Sequence, residues 1–282
     1  MARPARIEFA AAMHHVMARG VEKRIIFLDD RDRRTFLATL DETAARFDWR
    51  VWAYCLMANH YHLLVQTMRP TLSRGMRDLN GAYSQGFNRR HDRVGHLFQG
   101  RFKSLLVDGD RHLHQVARYI VLNPVRAGLC ATPEQWRWSS YRAQAGLASG
   151  PNCLAANDAL RHFDRDRRVA RAAFRRFVIA GAGASDPAAG ATRLGILGDD
   201  TFVRQVTGRA RMPTTEVPRV QRRAGRLLAH FAHAHARRDD AITAAHASGL
   251  YTLAEIGRHF GLHYATISKI VSRTRPRLRS KT

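Results

Sequence analysis

His60 and His62, in the stretch MANHYHLLVQT (57–67), are the side chains best placed in this sequence to do chemistry. On an extended strand alternate side chains share a face. The two imidazoles therefore stand on one side, about 7 Å apart along the strand, while Tyr61, Leu63 and Val65 point to the other. Two imidazoles so placed can converge on one divalent cation, and the apolar face anchors the strand in a core. The same spacing also suits histidines that merely meet a covering helix or solvent. His112 and His114 repeat it, but within a helical pattern (110–122), where residues two apart diverge by about 200° and do not easily share an ion.

A second pair lies in VARYIVLNPVRAGL, where Tyr119 and Asn123 are four residues apart and so on one helical face. A tyrosine hydroxyl beside a cation is a competent nucleophile, because the cation lowers the cost of forming phenolate from a phenol of ordinary pKa near 10. Asn123 offers an oxygen from the same helix. Two imidazoles with a hard oxygen suit Mg²⁺ or Mn²⁺. Taken alone, the tyrosine also reads as a core or rim residue, and the Asn before Pro124 as a helix end.

The elements that must position these residues alternate through the first 130 positions. AAMHHVMARG (11–20) reads as a strand ending at Gly20, and 29–47 as a helix with acids in its first turn and Phe36, Leu37, Leu40, Ala44 and Phe47 at helical spacing. WRVWAYCLM (49–57) is a strand, Ala58-Asn59 a tight turn, and 60–67 the returning strand. An amphipathic helix over 71–91 presents Leu72, Met76, Leu79 and Tyr83. GRFKSLLVD (100–108) is a strand, and 110–128 a helix bent or ended near Pro124. The order β-α-β-β-α-β followed by a helix predicts an α+β, ferredoxin-like split βαβ domain: an antiparallel sheet with helices on one face.

Beyond residue 145 the texture changes. AGLASGPN and GAGASDPAAGA (181–191) read as linkers around a basic helix. YTLAEIGRHFGLHYATISKIVSR (251–273) reads as a helix-turn-helix, with Thr252 and Glu255 as a capping box and Gly261 in the turn. Leu253, Ile256, Phe260, Ile267, Ile270 and Val271 face inward, which leaves Tyr264, Ala265, Thr266, Ser268 and Lys269 to meet DNA. A helical hairpin without DNA contact is the plainer alternative. The expected organisation is a catalytic domain over 1–145, a helical extension with linkers over 146–215, and an all-helical DNA-binding domain over 216–282.

Charge narrows the partner. The chain of 282 residues carries a formal charge of +24, and 43 of its 47 basic residues are Arg. Biased base composition exchanges Lys for Arg but does not create such an excess over Asp and Glu, so a polyanion, nucleic acid first, is the expected partner. RRHDRVGHLFQGRFK (89–103) interleaves cations with Phe98 and Phe102, as single-strand binders do; Phe98 serves equally to stack a base or to plug a core. No run of eighteen apolar residues and no signal-peptide pattern is present, and Cys55, Cys130 and Cys153 lie far apart. A cytoplasmic, nucleoid-associated protein with reduced thiols and no membrane contact is expected.

ANHYHLLV followed by RYIVLNPVRAGL resembles the REP-associated tyrosine transposases, relatives of the IS200-like transposases in the HUH superfamily. ARPARIEF, HHVMARG, IIFLDDRDRRTFL, GHLFQGRFKSLLVD and WRWSSYRA carry the likeness across residues 1–145. The resemblance implies that His60, His62 and Asn123 hold the catalytic Mg²⁺ or Mn²⁺. It implies that Tyr119 attacks a phosphate of single-stranded DNA at hairpins, leaving a 5′-phosphotyrosine and a free 3′-hydroxyl, with Arg101 and Lys103 near the developing charge. The enzyme would act as a monomer or homodimer. Where the family's first strand continues into RGN, here Arg19-Gly20 is followed by Val21, which leaves the first loop in question. A lone Tyr119, with no tyrosine at 115, 116, 122 or 123, separates the chain from two-tyrosine replication initiators. The competing expectation is a non-catalytic, sequence-specific regulator that uses only its C-terminal helices.

Overall fold

The structure is a computed structural model and describes residues 6–192, 194–210, 228–248, 251 and 253–274. The chain forms two compact units, residues 1–212 and 213–282. No described helix is long and apolar enough to cross a membrane.

The first unit is built on a sheet of order β2-β3-β1-β4-β5. Its strands are β1 (Ala12–Arg19), β2 (Trp49–Leu56), β3 (His60–Thr67), β4 (Lys103–Val107) and β5 (Ile196–Leu197). Neighbours among the first four pair antiparallel, and their order is that of the split βαβ arrangement. Two features differ from the sequence expectation. The fifth strand pairs parallel to β4, so the sheet is mixed, and its residues come from the stretch expected to hold only helices and linkers. Helices also cover both faces rather than one.

On one face lie α1 (Asp30–Phe47) and α2 (Leu72–Arg90). Asp29 caps α1 by accepting from the Asp32 N–H at 3.0 Å. Phe36, Leu40, Met76, Leu79 and Tyr83 from these helices pack on Val16, Tyr61, Leu63 and Val65. Gly75 lets α2 come this close, since a Cβ there would sit 2.1 Å from the Trp49 ring. On the opposite face lies α3 (Gly109–Arg126), whose Leu113, Val116 and Ile120 pack on Met13, Ala53, Cys55, Leu64 and Val107. The alternation of β3 thus puts the Tyr61 side under α1 and α2 and the His62 side under α3. Pro124 does not end α3 but lies inside its last turn.

The stretch after 145 packs onto this frame. Helices α4 (Tyr141–Gln144), α5 (Ala156–Arg161) and α6 (Arg167–Ile179) share an apolar cluster with Val121 and Leu122 of α3. A further helix, α7 (Asp200–Ala210), sets Val206 against Ala12, Leu106 and Ile196.

In the second unit α8 (Leu228–Ala234), α9 (Arg238–Ala247), α10 (Leu253–Phe260) and α11 (Tyr264–Thr274) bury Phe231, Ile242, Ile256, Ile267, Ile270 and Val271 together. Gly261 in the turn between α10 and α11 has φ +64, the left-handed geometry that favours glycine. Gly257 admits the turn itself, since a Cβ there would meet the Leu262 carbonyl oxygen at 2.4 Å. Thr252, half of the expected capping box, lies outside the described residues, as does the basic tail from 275 onward.

Candidate active site

Strand β3 carries both histidines on the face that α3 covers. The rings of His60 and His62 are 5.1 Å apart, centroid to centroid. The Tyr119 ring, reaching over from α3, lies 6.3 Å from that of His62 and 6.2 Å from that of His15. His15 belongs to β1, the neighbour of β3, and its Nε2 meets His62 Nδ1 at 3.0 Å. Strand pairing places it on the face that carries His60 and His62.

Burial keeps these imidazoles neutral. Removal from water lowers His60 to about 4, with the Arg19 charge adding to the effect. It also lowers His15 to about 4, against the opposing pull of Asp186. His62 is held well below the usual histidine range by burial first and then by His15, His60 and Arg19. Neutral imidazole is the form that ligates a cation.

Asn123 is held by a consequence of Pro124. Proline has no N–H to give the carbonyl four residues back, so the Ile120 carbonyl loses its helical donor. The Asn123 side-chain Nδ2 takes that place, donating to the Ile120 carbonyl at 3.4 Å and to that of Tyr119 at 3.0 Å. Its Oδ1 is the atom left to act as a ligand. Among the described residues no group of three or more His, Cys, Asp or Glu is arranged to hold a metal. The donor set nevertheless fits a hard divalent ion: two neutral imidazoles, with a third ligand from an amide oxygen outside those four residue types.

Tyr119 donates its hydroxyl to Asp186 Oδ2 at 3.0 Å. The other oxygen, Oδ1, accepts the Ala188 N–H at 2.8 Å, which pins the carboxylate at the start of a short 3-10 turn over Pro187–Gly190. Arg126 fastens the same segment through the Ala184 carbonyl, and its guanidinium sits 5.1 Å over the Tyr119 ring. Burial, then the Asp186 charge and hydrogen bond, push the Tyr119 phenol up to about 12, with Arg126 opposing. Asp186 is the residue that reading the sequence missed. It lies in a Gly/Ala-rich stretch taken for a linker, and its one local signal is an Asp-Pro step of the kind that starts a turn.

A groove of about 690 Å³ runs from His60 and His62 past Arg19, Arg101 and Lys103. Tyr119 lines a separate cavity of about 210 Å³ beside Gly181, Ser185 and Pro187. Lys103 stands in register with Met17, which pairs with His62, so its exposed side chain is on the histidine face. Phe98 is different. It is 8% exposed and packs against Tyr61 and Tyr83, so it plugs the core and is not placed to stack a base. His112 and His114 diverge as helical spacing requires: His112 bonds Gln115, while His114 packs on His162 and Phe163. In the second unit Tyr264, Thr266 and Lys269 are exposed on α11 and Ser268 is half-buried.

The histidine pair of β3 thus lies under the helix that carries Tyr119. Residues 9–123 match the family described as transposase IS200 like, a segment that holds His15, His60, His62, Tyr119 and Asn123 and ends short of Asp186. The resemblance carried by the motifs is thus borne out over this segment, which is less than half of the 282 residues. Among solved structures, one titled as a REP-associated tyrosine transposase bound to a REP hairpin is similar. It has 16% identity and a TM-score of 0.45, and the likeness covers 52% of this chain and 88% of that one. No curated protein matches the chain.

Proposed function

We propose that this protein cuts and rejoins single-stranded DNA by transesterification, with Tyr119 as the nucleophile. The observation that carries the reading is the meeting of His60, His62 and the Tyr119 ring on one face of the sheet, inside the segment that matches IS200-like transposases. His60 and His62 through imidazole nitrogen, and Asn123 through Oδ1, would hold a Mg²⁺ or Mn²⁺. Such an ion, when bound, polarises the scissile phosphate and offsets charge on its non-bridging oxygens.

Tyr119 Oη forms the new bond to phosphorus, the bond from phosphorus to the 3′-oxygen breaks, and the departing oxygen takes up a proton. The product is a 5′-phosphotyrosine with a free 3′-hydroxyl, and attack by another 3′-hydroxyl reverses the step and joins strands. With the phenol raised to about 12, little phenolate exists at neutral pH, so its proton must leave as the attack proceeds. Asp186 is the acceptor already bonded to it. Arg101 and Lys103, flanking the groove, would hold the DNA backbone.

We assign DNA hairpins as the substrate, with the second unit reading duplex DNA through Tyr264, Thr266, Ser268 and Lys269, and a site of action at the cytoplasmic nucleoid. The exposed face of α11 also supports a second reading, a DNA-binding regulator that performs no chemistry. An adduct assay separates the two. The protein is incubated with Mn²⁺ or Mg²⁺ and labelled single strands carrying the hairpins that flank its gene, then run on a denaturing gel. A covalent band that needs metal and vanishes in Tyr119→Phe supports the transposase reading. Tight binding without any band supports the regulator.

A further inference from the structure

The site has an outer layer that the reaction scheme does not use, and it bears on which atom each histidine can offer. His60 Nδ1 lies 2.7 Å from Asn59 Oδ1. The orientation of that amide is settled by its other end, since Asn59 Nδ2 donates to the Lys23 carbonyl at 3.0 Å. The atom facing His60 is therefore an oxygen, which only accepts, so His60 must carry its proton on Nδ1 and keep its lone pair on Nε2. On β1, His15 Nε2 meets His62 Nδ1 at 3.0 Å, with His15 only 1% exposed and His62 5% exposed. A buried contact this short between two neutral imidazoles requires one proton between them. If His62 donates, its free lone pair is again on Nε2.

We infer that His15 and Asn59 are positioning residues that hold His62 and His60 in the Nδ1–H tautomer, so that both present Nε2 to a divalent cation. The inference rests on the metal site proposed above and adds two supporting residues to it. Asn123 obeys the same logic, its Nδ2 engaged by helix carbonyls and its Oδ1 left over. Groups that orient metal-binding histidines in this way are worth about 10- to 100-fold in metal affinity.

The test is Mn²⁺ binding to the full chain, without DNA, by isothermal titration calorimetry, with pulsed EPR counting the coordinated imidazole nitrogens. His15→Leu and Asn59→Ala are each expected to weaken Mn²⁺ binding by about 10- to 100-fold. His15→Gln, whose side-chain oxygen can accept from His62 Nδ1, should recover most of the loss, and the wild type should show two coordinated imidazoles. Unchanged affinity in a folded His15→Leu, or in Asn59→Ala should His15→Leu not fold, overturns the inference and leaves the metal site standing. A third coordinated imidazole in the wild type also overturns it, by making His15 itself a ligand. Failure of the wild type to bind Mn²⁺ removes the proposed metal site and this inference together.

Discussion

The histidine face of the sheet and the exposed face of α11 present polar side chains in opposite ways. His15 is 1% exposed and His62 5%, and each polar contact they make is to another group of the site; Tyr264, at the start of α11, is 57% exposed. A buried polar group must find a partner or destabilise the fold, so in the first region hydrogen bonds report what each atom is for. An exposed residue owes nothing to the fold, and the conformation of α11 is set by Ile267, Ile270 and Val271 beneath it. Substitution should therefore act on chemistry in the first region and on DNA affinity in the second.

The largest contrast is expected between His62→Ala and Lys269→Ala. Losing a ligand of the proposed ion would forfeit several kcal/mol of transition-state stabilisation, so adduct formation by His62→Ala should fall on the order of a thousandfold. On a short oligonucleotide without a stem, Lys269→Ala should form adduct at the wild-type rate. Equal losses in the gel assay would end the division of labour proposed for the two units.

Next come the close approaches that fix each region. Gly75→Ala must displace the Trp49 ring and Gly257→Ala the Leu262 carbonyl. Each is expected to cost about 1–3 kcal/mol of stability in denaturant unfolding. Acid should then affect the buried histidines. Burial lowers His14 to about 3 and His15 and His60 to about 4. Unfolded histidines take up protons near 6.5, while these do so only near 3 to 4, so the unfolded state binds more protons in between. Stability of the first unit should fall as pH drops from about 6.5 to about 4, read as a falling unfolding midpoint. A flat profile would show that these imidazoles are solvated.

Asp186→Asn removes a charge that raises the Tyr119 phenol, so its pKa should come down from about 12, as followed by NMR of ¹³C-labelled tyrosine. The smallest effect is expected where the sequence is most exposed. Lys269→Ala should weaken duplex binding evenly across sequences and reduce the salt slope by about one.

Much of this was legible along the chain because it is periodic. Alternation in 60–67 placed His60 and His62 opposite Tyr61, Leu63 and Val65, and the heavy side chains at helical spacing in 29–47 and 71–91 are those buried under the sheet. Phe98 was ambiguous because a lone aromatic among arginines has the same pattern whether it stacks on a base or fills a core. Only its contacts with Tyr61 and Tyr83 decide. Pro124 suggested a helix bent or ended nearby, and α3 runs just past it to Arg126, where the Asn123 side chain donates to the carbonyl that proline cannot serve.

Local periodicity and covalent character, then, were enough to determine the strands and helices, the face that carries the histidine pair, and the helical turn that joins Tyr119 to Asn123. These depend on residues within a few positions of one another. The tertiary structure alone decided what meets them from afar: His15 from the neighbouring strand, Asp186 from 67 residues downstream, and the parallel strand β5 at the sheet edge. Such contacts follow from which strands pair and which helix covers which face. Many distant apolar contacts settle that jointly, and no single stretch of sequence encodes it.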